Sequence, residues 1–543
     1  MTTYDVIIIG AGAGGGVAAG VLAEAGKHVL LLERGRNLSF EDIPRDHLRN
    51  HRFTRHGHNT GPDLEGNPRV FVDADGSERV IAPHHDDYQN NAMVVGGGTR
   101  VFGAQAWRFL PTDFAMASTY GTPNGSSLAD WPIGYDELAP FYERAEWEIG
   151  VAGDSAVSAQ IWPRSRGFPM PPMLLNRQGT LLRRAADALG WNSFSVPLLI
   201  NSLPYAGRPA CIHCQHCVGF GCPVEAKNGT HNTMIPRALA TGRCDLVSQA
   251  FVDRIDSDGP GHVSGVTYID ADGRRHSLRA EVVIVAAGAI ETARLLLNSA
   301  GKGDPHGLGN AHDQVGRNLQ GHYYPSTVGL LPEIAHDGIG PGVTTATVQF
   351  NHGNAGVIGG GMLADEFIVL PIIFWARQLP PELPRWGLAN KQWMRENYRR
   401  VIRVTGPVQE IPSPDARVTL DPAVRDKWGM PVARLSGTTH PETVRTAEFM
   451  HARTAEWLRA AGATQVWGKP PQLRISGGQH QAGTCRMGDD PQTSVVDHNC
   501  RVHGYENLYI ADGSVHVTNG GFNPVLTILA LAFRTAQHIA QTC

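Results

Sequence analysis

GGQHQAGTCRMG, residues 477–488, sets one histidine, His480, among glycines that cannot anchor a core. Imidazole titrates near neutral pH, so His480 has the right side chain to act as a general base. In a glycine-rich turn it is equally a plain polar residue. Asn523 stands before Pro524 in NLYIADGSVHVTNGGFNPVLTILALA (507–532), where its default reading is a helix cap. His516 in the same stretch is a weaker candidate. CIHCQHCVGFGC (211–222) holds four of the eight cysteines of the chain. Cys211, Cys214, Cys217 and Cys222 precede Pro223 as C-x2-C-x2-C-x4-C, one residue longer in the last gap than the bacterial ferredoxin run. That spacing suits an iron–sulfur cluster, with structural zinc, disulfides or buried thiols as alternatives. Cys485, inside GTCRMG, reads as a packed thiol.

A third constellation opens the chain. Val6 to Ile9 form an apolar β-branched run that suits a parallel strand buried on both faces. Gly10, Gly12 and Gly15 follow at G-x-G-x-x-G spacing, then small residues up to Ala25 predict a tightly packing helix. Val29 to Leu32 predict a second strand ending at Glu33. The first glycine permits the turn, the second lets a pyrophosphate approach the backbone, and the third lets helix and strand close up. N–H groups at the helix start face the phosphates, and Glu33 stands where it can accept from both ribose hydroxyls. A lone glycine motif is weak. With strand, helix, strand and terminal acid together it predicts a dinucleotide site, NAD and FAD both being open.

These residues need elements to hold them. The chain has 543 residues, enough for more than one core. Hydrophobic residues at 42% and charged residues at 18% describe an ordinary globular protein. A net charge of −4 offers no basic field for nucleic acid or anionic lipid. No window reaches the roughly 18 apolar residues of a membrane span. The N-terminus enters a strand at once, without the features of a signal peptide, so a cytoplasmic protein is expected. A second glycine cluster, VVGGGTRVFGA (94–104), predicts a loop that approaches a ligand closely. WPIGYDELAPFYERAEWEIG (131–150) reads as helical, EVVIVAAGAIETARLLLNS (281–299) as strand, turn and helix, and 321–440 as strands and long loops. KQWMRENYRRVIR (391–403) reads as a solvated basic helix or lid. The nucleotide-binding pieces are scattered, which implies a discontinuous cofactor domain with a second domain inserted.

VVGGGT (94–99), GAIETARLLLNSA (288–300), HQAGTCRMG (480–488) and the stretch 507–532 resemble the signatures of the glucose–methanol–choline (GMC) family of FAD-dependent alcohol oxidoreductases. WRFLPTDF (107–114) and 131–146 resemble most the branch of gluconate, glucose and sorbose dehydrogenases and pyranose oxidases. Ala293 and Ala300 depart from the small polar residue and the glycine usual in the second signature. The resemblance implies an α/β fold, with a Rossmann-like FAD-binding domain (1–35, 80–115, 205–320, 441–543) and an antiparallel-sheet substrate-binding domain (36–79, 116–204, 321–440). It implies FAD, held by Gly10, Gly12, Gly15 and Glu33 at the ADP half and Val252 at the adenine. Gly97 and Gly98 back the isoalloxazine, while Asp512 and Gly513 meet the pyrophosphate and ribityl chain. The helix after Pro524 points its positive end at the flavin. Val101 stands where some pyranose oxidases carry a flavin-linked histidine, so the FAD is expected to be non-covalent. His480 and Asn523 match the catalytic pair, one taking the hydroxyl proton while hydride passes to flavin N5. The implied activity is oxidation of CH–OH to C=O on a sugar, glycoside, amino sugar or polyol, with O2 or an external carrier as electron acceptor. The alternatives are a family lyase, or an oxidase of a non-sugar alcohol.

Overall fold

Val6, Ile7, Ile8 and Ile9 are buried, and they lie in the middle of a seven-stranded sheet. The computed structural model describes residues 3–43, 61–63, 65–88, 92–366 and 370–543. Residues 44–60 of the expected 36–79 segment lie outside the described residues. The strand Thr3–Ile9 pairs in parallel with Val29–Glu33 on one side and Arg275–Val285 on the other. Cys244–Ser248 and Leu508–Ile510 extend the parallel sheet at its two ends. The first half of Arg275–Val285 instead begins an antiparallel meander with His262–Ile269 and Phe251–Gly259. The helices Ala13–Glu24 and Val525–Thr542 pack against each other beside this sheet. Parallel strands need such cover, because they are apolar on both faces.

A second sheet is antiparallel and six-stranded, in the order Gln465–Trp467, Ser326–Leu330, Val401–Thr405, Leu363–Asp365, Thr345–Thr347, Phe194–Ser195. The helix Pro441–Ala460 lies on it, and its fully buried Trp457 donates to the Leu182 carbonyl at 2.8 Å. The range 441–543, expected on the FAD side, therefore includes a helix and a strand that join the second sheet. The reason is burial: Met450, Trp457 and Leu458 share a core with Ile402 and Val404. Residues 391–403 also differ from expectation. The helix ends at Asn397, and Val401–Thr405 becomes a central strand because Val401, Ile402 and Val404 are buried.

A four-stranded sheet joins Arg417–Arg425 and Pro431–Ser436 to Arg69–Val72 and Glu78–Ile81. The smallest sheet is antiparallel, in the order Val408–Gln409, Gln320–Tyr323, Gln479–Ala482. Its last strand touches the helix Ala289–Asn298 and the turn Gly513–Val515, while Val408–Gln409 touches the helix Pro441–Ala460. It thus joins the two larger sheets, and it carries His480.

Candidate active site

The parallel strands end together at Ile9, Glu33, Val285 and Ile510, and a cavity of ≈ 360 Å³ opens just beyond them. Ligands of open α/β sheets sit in such a crevice at the carboxyl ends of the strands. Gly10, Gly12, Glu33, Gly97, Gly98, Val252, Asp512, Gly513, Asn523, Pro524 and His480 all border this cavity. Gly15 does not. It lies behind the wall, where a Cβ would stand 1.9 Å from the Gly10 carbonyl oxygen, so it lets helix and strand close up.

Gly12 starts the helix Ala13–Glu24, and a Cβ there would meet no protein atom within 4 Å. The same holds at Gly98 and Gly288, so three glycines leave open backbone around the crevice. Gly97 is held at φ 51°, and a Cβ on it would come 2.9 Å from the Gly12 Cα. The Glu33 carboxylate is fixed by the N–H groups of Ala11 (2.9 Å) and Gly35 (2.7 Å). Burial raises its pKa from the usual carboxylate value, against the pull of those two N–H donors. Asp512 accepts from the Gly288 and Ser514 N–H groups (2.9 and 2.8 Å) and the Thr292 hydroxyl (2.6 Å). Pro524 starts the helix Val525–Thr542, whose first turn has no side-chain cap, leaving N–H donors toward the cavity. Open backbone, a fixed acid at a strand end and an uncapped helix start fit a dinucleotide.

His480 sits in a strand rather than a turn. In the pairing of Gln320–Tyr323 with Gln479–Ala482, Gln320 faces Ala482 and His322 faces Gln479, so the register slips by a bulge. His480 occupies it at φ 63°. A bulge bends a strand and re-aims a side chain. His480 Nδ1 lies 3.0 Å from His322 Nδ1 and 3.2 Å from the Tyr324 hydroxyl, and its carbonyl accepts from Asn519 Nδ2 at 2.8 Å. Asn523 does not cap the helix. Its Nδ2 donates to Tyr324 Oη at 3.4 Å, and its buried Oδ1 has no hydrogen-bond partner. Tyr324 thus bridges His480 and Asn523. His516 is fully buried against Phe109 and Trp131 with Nδ1 3.0 Å from Asn519 Oδ1, and it does not border the cavity.

Residues 7–324 match the N-terminal model of the GMC oxidoreductase family and residues 412–532 its C-terminal model. The chain belongs to the GMC oxidoreductase family. It is 31% identical to paromamine 6'-oxidase of Streptomyces fradiae, over 99% of this chain and 91% of that protein. It is 30% identical to 2-methyl-1,2-propanediol dehydrogenase of Mycolicibacterium austroafricanum, over 99% and 95%. It is 28% identical to the fructose dehydrogenase large subunit of Gluconobacter japonicus, over 98% and 97%. The fold is that of pyridoxine 4-oxidase from Mesorbium loti (TM-score 0.65, 16% identity, 98% of this chain and 99% of that one). It is also that of formate oxidase from Aspergillus oryzae RIB40 (TM-score 0.65, 17% identity, 99% and 98%). GMC oxidoreductases are FAD-binding alcohol oxidoreductases, and the crevice above fits that cofactor.

The structure of the cysteine segment of this GMC chain lends no support to the metal site its spacing suggests. Among the described residues, no three His, Cys, Asp or Glu side chains come together where they could hold a metal ion. Cys217 is buried, and desolvation pushes its thiol up to about 12. The cation inside the loop is the Lys227 ammonium, which donates to the carbonyls of Cys217 (2.5 Å), Phe220 (2.9 Å) and Phe102 (3.2 Å). Cys485 is a buried thiol, as expected. Sequence reading missed His322 and Tyr324 in QGHYYP, which carries no spaced motif to mark it.

Proposed function

We propose that this enzyme oxidises a CH–OH group of a sugar, glycoside, amino sugar or related polyol, with His480 as the base. The observation that carries the reading is the meeting of His480 and Asn523 at the Tyr324 hydroxyl, on the wall of the crevice that fits FAD. His480 takes the hydroxyl proton. The Asn523 carboxamide steadies the oxygen as negative charge develops on it, the task of an oxyanion hole. Bound FAD would supply the two-electron sink, taking the hydride from the same carbon and passing the electrons to O2 or an external carrier. Gly10, Gly12 and Glu33 would hold its ADP half with Val252, and Gly97, Gly98, Asp512, Gly513 and Pro524 its flavin end. The buried Val101 offers no covalent link, so the FAD is released on denaturation. The sugar class rests on paromamine 6'-oxidase and the fructose dehydrogenase subunit; the propanediol dehydrogenase widens it to small diols. None of these three is named as a lyase. No helix among the described residues is long and apolar enough to cross a membrane. We place the enzyme in the cytoplasm, in keeping with its eight unpaired thiols.

Anaerobic mixing of the yellow protein with a panel of alcohols and sugars tests the reading. Bleaching by a sugar, an amino sugar or a polyol is the expected result. A panel that leaves the flavin oxidised while a cyanohydrin is cleaved would replace the oxidoreductase with the lyase.

A further inference from the structure

His322 belongs to no motif, yet its fully buried ring lies against the His480 imidazole, Nδ1 to Nδ1 at 3.0 Å. Its Nε2 lies 2.8 Å from the Gly520 carbonyl oxygen and 3.0 Å from that of Asn519. Carbonyl oxygens only accept, so His322 Nε2 carries a hydrogen. Desolvation pushes the His322 pKa down to about 4 and keeps the ring neutral; Arg474 acts in the same direction, the Gly520 and Asn519 carbonyls and Glu410 against it. Glu410 is itself engaged by the Gly321 N–H (2.9 Å) and the Ser476 hydroxyl (2.9 Å). A neutral imidazole with hydrogen on Nε2 presents a lone pair at Nδ1. Two nitrogens 3.0 Å apart share one hydrogen, and here it has to come from His480. The opposite tautomer of His480 would suit a donating Tyr324 at 3.2 Å, but it would set two lone pairs 3.0 Å apart in a buried site. An unmade buried hydrogen bond of that kind is the larger loss.

We propose that His322 is a positioning residue that holds His480 as its Nδ1–H tautomer and so keeps the Nε2 lone pair for the substrate. The inference rests on the reading of His480 as the base. When the substrate hydroxyl gives its proton to His480 Nε2, both ring nitrogens carry hydrogen. The Nδ1–H bond to His322 then becomes charge-assisted and strengthens as the alkoxide forms. A serine protease uses an aspartate to fix a histidine tautomer; here a neutral imidazole does it without adding a second negative charge beside the alkoxide.

The tautomer can be read directly in the FAD-loaded protein at pH 8, with histidine labelled by ¹⁵N at both ring nitrogens. The His480 signals are assigned by their loss in His480→Ala. A protonated Nδ1 and an imine-type Nε2 are expected, and the reverse assignment or a mixture overturns the proposal. In His322→Phe the Nδ1 acceptor is lost, and flavin reduction should fall by about 10- to 10²-fold at little cost in KM, the size of one lost buried hydrogen bond. His322→Asn restores an acceptor oxygen near the Nδ1 position and should recover most of that rate. An unchanged rate and pH profile in His322→Phe, or equal impairment of both variants, would count against His322 as a positioning residue. If the tautomer is as proposed but His480→Ala reduces its flavin at the wild-type rate, the tautomer stands and the assignment of the base fails.

Discussion

His480 pays for its place with backbone strain, since a non-glycine residue at φ 63° costs on the order of 1 kcal/mol. Such strain persists only where surroundings impose it, here the bulge and the Asn519 bond to its carbonyl. His480→Ala keeps the same backbone conformation, so FAD and fold should be retained. The rate of flavin reduction should fall by about 10² to 10⁴, the usual contribution of a positioned acid–base group. Asn523→Ala should cost less, about 10- to 10³-fold, because it removes one hydrogen bond to developing charge. Both act on one alkoxide, so the double variant should lose less than the product of the two. Anaerobic stopped-flow reduction measures all three; wild-type speed in His480→Ala would leave it a strained structural residue. Both residues were picked out in the sequence because they fall in stretches that resemble family signatures. His322 and Tyr324 were not, because a buried contact across two strands leaves no local pattern.

At the scale of elements, the opening strand, helix and strand were the most legible part, since burial on both faces writes a continuous β-branched run. The three glycines that follow do different work there, and substitution separates them. Gly15→Ala places a methyl 1.9 Å from the Gly10 carbonyl, so the helix Ala13–Glu24 has to leave the strand Thr3–Ile9. Overpacking of that kind costs about 1–3 kcal/mol or more. Gly12→Ala meets no protein atom within 4 Å and should leave the apoprotein's melting temperature unchanged. The methyl would instead stand where a pyrophosphate approaches the helix start, so FAD retention should be lost. Thermal unfolding and FAD content of the two apoproteins check this; a stable Gly15→Ala protein would mean that this packing is not needed. Elements that depend on distant partners were less legible. The polar surface residues of 391–400 concealed the strand Val401–Thr405 behind a helical pattern, and only pairing with Ser326–Leu330 and Leu363–Asp365 makes it central. The cysteine spacing finds no matching ligand cluster among the described residues, because a sequence gap does not fix whether side chains converge.

The whole molecule converges on its crevice, which is bordered by residues from Ile9 to Arg34, Met93 to Gln105, Ala250 to Asp253, Ala286 to Asn298, Gln479 to Gln481 and Asp512 to Ile528. A site assembled from such distant segments exists only while the fold holds, so the pH range of the fold bounds that of the enzyme. Four buried imidazoles, His231, His322, His336 and His516, are pushed by desolvation from 6.5 to about 4. A folded pKa depressed below the unfolded one gives stability that is present above the unfolded value and lost as pH falls through the folded value. Each ring therefore withdraws about 3 kcal/mol between pH 6.5 and 4. Asp365 opposes them. Burial raises its carboxyl from 3.8 to about 7, so its contribution, about 4 kcal/mol, is present below 3.8 and lost as pH rises through 7. Burial also raises the Glu33 and Glu366 carboxyls, which act with Asp365; the four rings are the larger set, and the melting temperature should fall as pH drops from 7 to 4.5. His336 isolates the cause, because it stacks on Tyr398 and does not border the crevice. His336→Gln removes one of the four titrations and should make that fall shallower while leaving flavin reduction at neutral pH unchanged. A variant whose melting temperature tracks the wild type in parallel from pH 7 to 4.5 would show that buried imidazoles do not set the acid limit of this fold.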